Sequence, residues 1–508
     1  MSKLTEESLE FARKHIEKFY DSDFFPKTFE FEAIWHCWDE VKSELSSKNI
    51  DKLSISNPRT LTSKKPKEGF RIVHQLEPIN SLIYTALVHS VAEKIEQARV
   101  DINKKVACSY RIKINDGSFF SNNNGFLNFS TQSKELANTY QYVLATDITD
   151  FYNQIYLHRL NNAIESANQI SNNVSHEIER FLSKLNNKAS KGIPVGPAAS
   201  IVLAEAIMID IDNFLINKGV FHTRYVDDFR IFSDSKEKLT SILEELTLYL
   251  YHNHRLTISS EKTKIIETEK YINEIMNNHY ELEKVQLFEK LEIFNPYSGE
   301  VEEIEVPIED EVAVANGQFE KLAENVINRP FLDFGLSRAL VRKAKSFKIK
   351  ELSEFIFEHF EFFSPIINDI CLYLSSITDT EFINANRERL INISKSEIMN
   401  RSLVRLWFEW YIANNSELLK IPELSSFIFN SKNLVSKAQA AIICKNQAWV
   451  REHRSKLQEF GNWERRAILY SAKVLARDER DNWLKMVEQD PTTTLLDKCI
   501  AKWVRESS

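Results

Sequence analysis

Apolar and polar positions follow two different rhythms along this chain. Over the first ~290 residues, short apolar or alternating runs are interleaved with stretches of helical spacing. QYVLAT (141–146), His222–Tyr225 and Phe229–Phe232 read as strands, and IVLAEAIMIDIDNFL after Ser200 reads as a long buried helix. Beyond Glu311 only Gly317, Gly335 and Gly461 interrupt the chain. SLVRLWFEWYIANN (402–415), KAQAAIICKNQAWVREHR (437–454) and ERRAILYSAKVLARDERDNWLKMV (464–487) carry apolar residues at helical spacing. Such stretches recur irregularly, a pattern compatible with stacked helix pairs of HEAT type. Trp407, Trp410, Trp449, Trp463, Trp483 and Trp503 read as core.

The two rhythms meet at Asn295-Pro296-Tyr297-Ser298-Gly299, followed by seven acidic residues and no Lys or Arg up to Glu311. This predicts a domain over 1–295, an acidic linker over 296–311 and an all-helical domain over 312–508. At 508 residues the chain exceeds one core, and its 43% hydrophobic and 27% charged content excludes disorder as its main state. The five cysteines form no CxxC pair, so neither a disulfide framework nor a zinc site is expected, and a reducing cytoplasm is the expected location. No stretch reaches the ~18 apolar residues that span a bilayer. The net charge of −8 argues against indiscriminate nucleic-acid binding, yet residues 51–115 hold twelve Lys/Arg against six Asp/Glu.

Chemistry concentrates between Gln141 and Lys264. The strand QYVLAT runs into Asp147-Ile148-Thr149-Asp150-Phe151-Tyr152. The two arms of FHTRYVDDFRIFSDS (221–235) predict a tight hairpin with Asp227 and Asp228 at its tip. Adjacent like charges are unfavourable there unless a divalent cation joins them. Asp147, Asp227 and Asp228 at neighbouring strand ends can hold two Mg²⁺ ions, with Mn²⁺ as the alternative ion. One would activate a 3′-hydroxyl and the other neutralise a triphosphate. Between the two acidic motifs, Lys191-Gly192-Ile193-Pro194-Val195-Gly196-Pro197-Ala198-Ala199-Ser200 is a Gly/Pro loop entering a helix, with Pro197 suited to its first position and small side chains that admit something flat. LTISSEKTKII (256–266) adds Lys262.

In order, spacing and identity, DITDFY, GIPVGP with its following Ser200, YVDD and EKTKI resemble motifs A to D of reverse transcriptases. Phe70-Arg71-Ile72-Val73 and INSLIYTALVHSVAEKIE resemble the fingers segment of the same enzymes. The resemblance implies an α/β (α+β) right-hand palm and fingers followed by the all-α domain. It implies two-metal nucleotidyl transfer, with Asp147, Asp227 and Asp228 as catalytic metal ligands and Ile148 contributing its backbone. Asp150 and Phe151 would lie under the triphosphate. Tyr152 would exclude a 2′-hydroxyl, making dNTPs the substrate. Pro194 and Gly196 would line the nascent base pair, Lys262 would protonate pyrophosphate, and Arg71 with Lys64, Lys65 and Lys67 would bind triphosphate and strand backbone.

Val195 stands where many templated reverse transcriptases carry Gln, and Ser259 where they carry Asn. No Val-Thr-Gly signature of retron enzymes follows the palm. With GIPVGP, YVDD, the opening KHIEKFYDSDFFPKTFE and a helical second half, the chain resembles the prokaryotic abortive-infection (Abi) reverse transcriptases. That resemblance implies phage defence, a homo-oligomer, and template-independent synthesis of single-stranded DNA attached to a protein hydroxyl, for which Tyr20 is one candidate. The alternatives are a conventional RNA-templated reverse transcriptase with an RNA partner, and a catalytically silent palm used as an interaction scaffold.

Overall fold

The computed structural model describes residues 3–65, 68–120, 125–168, 172–273, 293–294, 301–302, 323–324 and 326–507. The chain divides into two compact units, and the division is not one cut along the sequence. The first unit comprises Met1–Asp23, Leu45–Thr60 and Val73–Val306; the second comprises Phe24–Glu44, Leu61–Ile72 and Pro307–Ser508. Of the expected acidic linker only Val301 and Glu302 are described, paired antiparallel with Ile293–Phe294. Its remainder lies outside the described residues, as does Lys67.

Strands β1 (Arg59–Lys64) and β2 (Phe70–Gln75) pair with each other, as do β3 (Ile112–Asn115) and β4 (Ser118–Phe120). The central sheet of the first unit contains β5 (Tyr142–Asp147), β6 (Phe221–Tyr225), β7 (Asp228–Ser233) and β8 (Lys264–Glu267) in the order β6–β7–β5–β8. Every pairing in it is antiparallel. Tyr225 faces Asp228, and Asp228 faces Asp147. Directly opposed residues share a face of the pleat, so Tyr225, Asp228 and Asp147 form one row. Four residues along β7, Phe232 lies opposite Val143, and that end of the same face is capped by Leu136 and Ala137 of the helix Gly125–Thr139.

The other face meets the helix Ala198–Asn217, which is apolar on nearly every side and buried accordingly. Pro197, expected as its first residue, is instead its N-cap, in extended conformation. Two acids on this helix, Glu205 and Asp212, are buried. They lie seven residues apart, about two turns, and so share a side. Both reach Arg224 of β6, which is fully buried. Its Nε donates to Asp212 at 2.8 Å, and its Nη2 donates to Glu205 and Asp212 at 2.8 Å each. Arg99 approaches Glu205 at 2.9 Å and Glu96 at 3.0 Å, and Arg111 approaches Glu96 at 2.5 Å. Three guanidiniums thus meet three carboxylates. Burial alone would push the Asp212 carboxyl up, but the Arg224 charge prevails and holds it at about 2.

In the second unit every regular element described after residue 323 is helical, from Phe334–Phe347 to Leu495–Glu506. Side chains of Asp333, Asp379, Asn433, Asn446 and Thr494 accept backbone N–H groups at helix starts, which explains why polar residues punctuate this half. Trp407 and Trp449 are buried, and Trp410, Trp463, Trp483 and Trp503 are half-buried.

Replacing Arg224 by Leu removes the shared cation from two buried carboxylates, leaving Glu205 with Arg99 and Asp212 with His222. We expect the first unit to lose about 3–5 kcal/mol in urea unfolding at neutral pH. Because the native pKa of Asp212 is depressed, its contribution is present above the unfolded value near 4 and fades as pH falls toward 2. The penalty of Arg224→Leu should therefore be smaller at pH 3 than at pH 7.

Candidate active site

The β6–β7 hairpin turns on two residues, Val226 and Asp227. Val226 has φ +57° and Asp227 does not share the positive φ. This is the pattern of a II′ turn, which normally takes glycine at the first position. A β-branched residue there is an outlier that stores roughly 1–3 kcal/mol. It persists because its backbone is held at both ends. The Val226 N–H donates to Ser109 Oγ at 2.8 Å, and Arg224 Nη1 donates to the Val226 carbonyl at 3.0 Å.

The turn presents Asp227 beside Asp147. Burial first, and then the Asp147 charge, pushes the Asp227 carboxyl up to about 7. Lys262 Nζ meets Asp147 Oδ2 at 2.5 Å, and its own side chain is largely exposed. The loop carrying Lys262 is fixed to the end of β5. Ser259 N–H donates to the Asp147 carbonyl and Thr149 N–H to the Thr257 carbonyl, both at 2.8 Å. Asp228 begins β7 and is drawn to Arg230, whose Nη1 and Nη2 donate at 2.5 and 3.2 Å.

Among the described residues no three His, Cys, Asp or Glu side chains are grouped to hold a metal ion. Asp147 and Asp227 nevertheless suit a hard cation: two hard carboxylates in mutual repulsion, one reluctant to ionise. Lys262 and Arg230 supply the positive charge at Asp147 and Asp228.

The remaining sequence candidates divide by location. Ile148 and Phe151 are buried, and Ile148 bridges Ile258. Asp150 is exposed, with φ +49°, and accepts from Asn153 Nδ2 at 2.8 Å. Tyr152 is half-buried, and its carbonyl accepts from Ile193 N–H at 3.0 Å, so the structure brings it to the Gly/Pro loop. Pro194 is buried in that loop. Val195 exchanges two bonds with His74: the His74 N–H donates to the Val195 carbonyl at 2.9 Å, and the Val195 N–H donates to His74 Nδ1 at 3.0 Å. Burial pushes His74 down to about 4, which keeps that imidazole neutral and able to accept. Gly196 has φ +135°, and a Cβ there would meet Ser22 Oγ at 2.6 Å, so only glycine fits. Tyr20 is half-buried, and its hydroxyl accepts from Gln75 Nε2 at 3.3 Å. Arg71 and Lys65 belong to the second unit, where Arg71 lies over the Phe334 ring at 5.7 Å and Lys65 is exposed.

Sequence reading missed Ser109, Arg224 and Arg230. Arg224 had a signal: an arginine in a β-run three residues before Asp227, with Glu205 and Asp212 two turns apart on a mostly apolar helix. Ser109 had none.

Comparison with curated proteins finds no match. Among solved structures the chain is similar to telomerase from Candida albicans in complex with a TWJ fragment of telomeric RNA. That similarity is 10% identity over 74% of this chain and 70% of that one, at TM-score 0.32. It is similar also to telomerase from Candida tropicalis in the corresponding complex, at 14% identity, 77% and 70% coverage and TM-score 0.33. Likeness at these scores carries no argument about fold or activity. Residues 63–285, however, match the family model for reverse transcriptase (RNA-dependent DNA polymerase). That match spans the central sheet, the Gly/Pro loop and the aspartate hairpin, and it shows that the chain carries a reverse transcriptase domain.

Proposed function

We propose that this chain polymerises dNTPs by metal-assisted nucleotidyl transfer, without a nucleic-acid template, as an abortive-infection enzyme active against phage. The observation that carries the polymerase reading is the strand register that sets Asp147 opposite Asp228, with Asp227 the next residue in the turn, within the domain matched by the reverse transcriptase model. Asp147 and Asp227 would hold divalent cations, Mg²⁺ or Mn²⁺, with Asp228 and the Ile148 backbone nearby. Such ions supply charge neutralisation for a triphosphate and a lower pKa for an attacking hydroxyl. Lys262, an exposed ammonium at Asp147, is suited to give its proton to the departing pyrophosphate. Tyr152, tied to Ile193, is suited to stand against the sugar, with Pro194 and Gly196 shaping the floor beneath the base.

Template independence and phage defence rest on the sequence resemblance to the abortive-infection group. So do a homo-oligomer, a HEAT-like pairing of the C-terminal helices, and priming from a protein hydroxyl such as that of Tyr20. Val195 in place of Gln supports the untemplated reading, since its side chain offers no polar contact. The description of the matched family as RNA-dependent favours a second reading, RNA-templated synthesis. Incubation with dNTPs alone, and then with a primer on an RNA template, separates the two. Product from dNTPs alone supports the first reading, and product only with primer and template supports the second.

Asp227→Asn should lower incorporation by about 10³-fold or more while leaving thermal stability equal or higher, because it removes a repelled, partly buried charge. Full activity in the folded variant would refute the assignment. Tyr152→Ala should relax selection against rNTPs, read as a lower dNTP/rNTP preference in kcat/KM. Asp227 gives up its proton only near pH 7, and cation binding requires the carboxylate. The Mg²⁺ concentration for half-maximal incorporation should therefore fall as pH rises from 6 to 8.

A further inference from the structure

We infer that Ser109, far from the motifs in sequence, is a positioning residue for Asp227, acting through the backbone of Val226. This rests on the polymerase reading above and adds a residue to its machinery.

Ser109 is completely buried. The chain reaches it along the edge of β6, where Arg224 N–H donates to the Val106 carbonyl at 2.8 Å and Cys108 N–H donates to the Arg224 carbonyl at 3.1 Å. That pairing delivers the Ser109 hydroxyl to the turn, where its oxygen accepts the Val226 N–H at 2.8 Å. The hydroxyl's own hydrogen is directed at Glu205 Oε1, 3.4 Å away. Glu205 is held in turn by Arg99 and Arg224. The Ser109 carbonyl accepts from Arg99 Nη2 at 2.9 Å. Its backbone is thereby fixed by the same ion network that fixes the hairpin.

Val226 is the one turn residue in a conformation its own side chain opposes. Arg224 holds its carbonyl, and Ser109 holds its N–H. Without the Ser109 oxygen, that N–H loses its acceptor and the valine can relax toward negative φ. Asp227 is the next residue, so the rotation swings its carboxylate away from Asp147. The predicted defect lies in catalysis: the dNTP-facing elements, Tyr152 and the Gly/Pro loop, are anchored elsewhere through Ile193 and His74.

A double-mutant cycle on the full chain tests this, with Ser109→Ala, Val226→Gly and the pair, reading kcat and KM for dNTP incorporation together with the thermal midpoint. Glycine adopts positive φ freely, so it removes the strain that the Ser109 hydroxyl restrains. S109A alone should lower kcat tenfold to a hundredfold with KM for dNTP changed less than threefold. In the V226G background the same change should lower kcat less than threefold. Equal losses in both backgrounds, activity of S109A within threefold of wild type, or failure of both Ser109 variants to fold would overturn the inference. A wild-type chain that incorporates no nucleotide under any condition would instead overturn the polymerase reading.

Discussion

Everything at the candidate site hangs from one buried guanidinium. Arg224 sits in the sheet with no access to solvent, gripped by Glu205 and Asp212 from a helix that is mostly apolar. Withdrawing such charges from water costs several kcal/mol per ion, recovered only when each is paired in good geometry. Here each is: three cations meet three anions, and Arg224 forms two-pronged contacts with both of its acids. The same guanidinium also donates to the carbonyl of Val226. The helix therefore locks the register of β6, and β6 locks a turn that its own sequence would not choose.

The strain and the electrostatics belong together. An aspartate in a relaxed turn would move away from a second carboxylate. A turn held rigidly at Val226 keeps Asp227 beside Asp147, and burial first, then that neighbouring charge, pushes its carboxyl up to about 7. Lys262 at Asp147 and Arg230 at Asp228 balance the remaining charge. Repulsion stored between preplaced carboxylates is released when a hard cation joins them, so binding energy need not be used to assemble the site.

The strands, the helical second half and the acidic residues were legible in sequence because each follows a local rule. A short apolar run marks β5, two β-like arms around Val226-Asp227 mark β6 and β7, a 3.6-residue period marks the C-terminal helices, and Gly192 and Gly196 mark a loop that needs positive φ. What escaped was long-range. Phe24–Glu44 and Leu61–Ile72 belong to the second unit, and no period in the sequence announces that. Arg71 and Lys65, expected to bind triphosphate and strand backbone, belong to that same unit. Two adjacent aspartates look equivalent in sequence, but the pleat separates them: Asp227 closes the turn, and Asp228 starts a strand on the side of Arg230. Ser109 could not be read at all, since its role depends on a segment that joins the edge of β6 more than a hundred residues away.

Mn²⁺ binding followed by electron paramagnetic resonance, in the absence of nucleotide, tests the preplaced carboxylate pair most directly. Wild-type protein should take up Mn²⁺ at pH 8 and remove it from the free-ion signal. The folded Asp147→Asn/Asp227→Asn double variant should leave that signal unchanged. Equal uptake by the two proteins would contradict the assignment of Asp147 and Asp227 as the cation site.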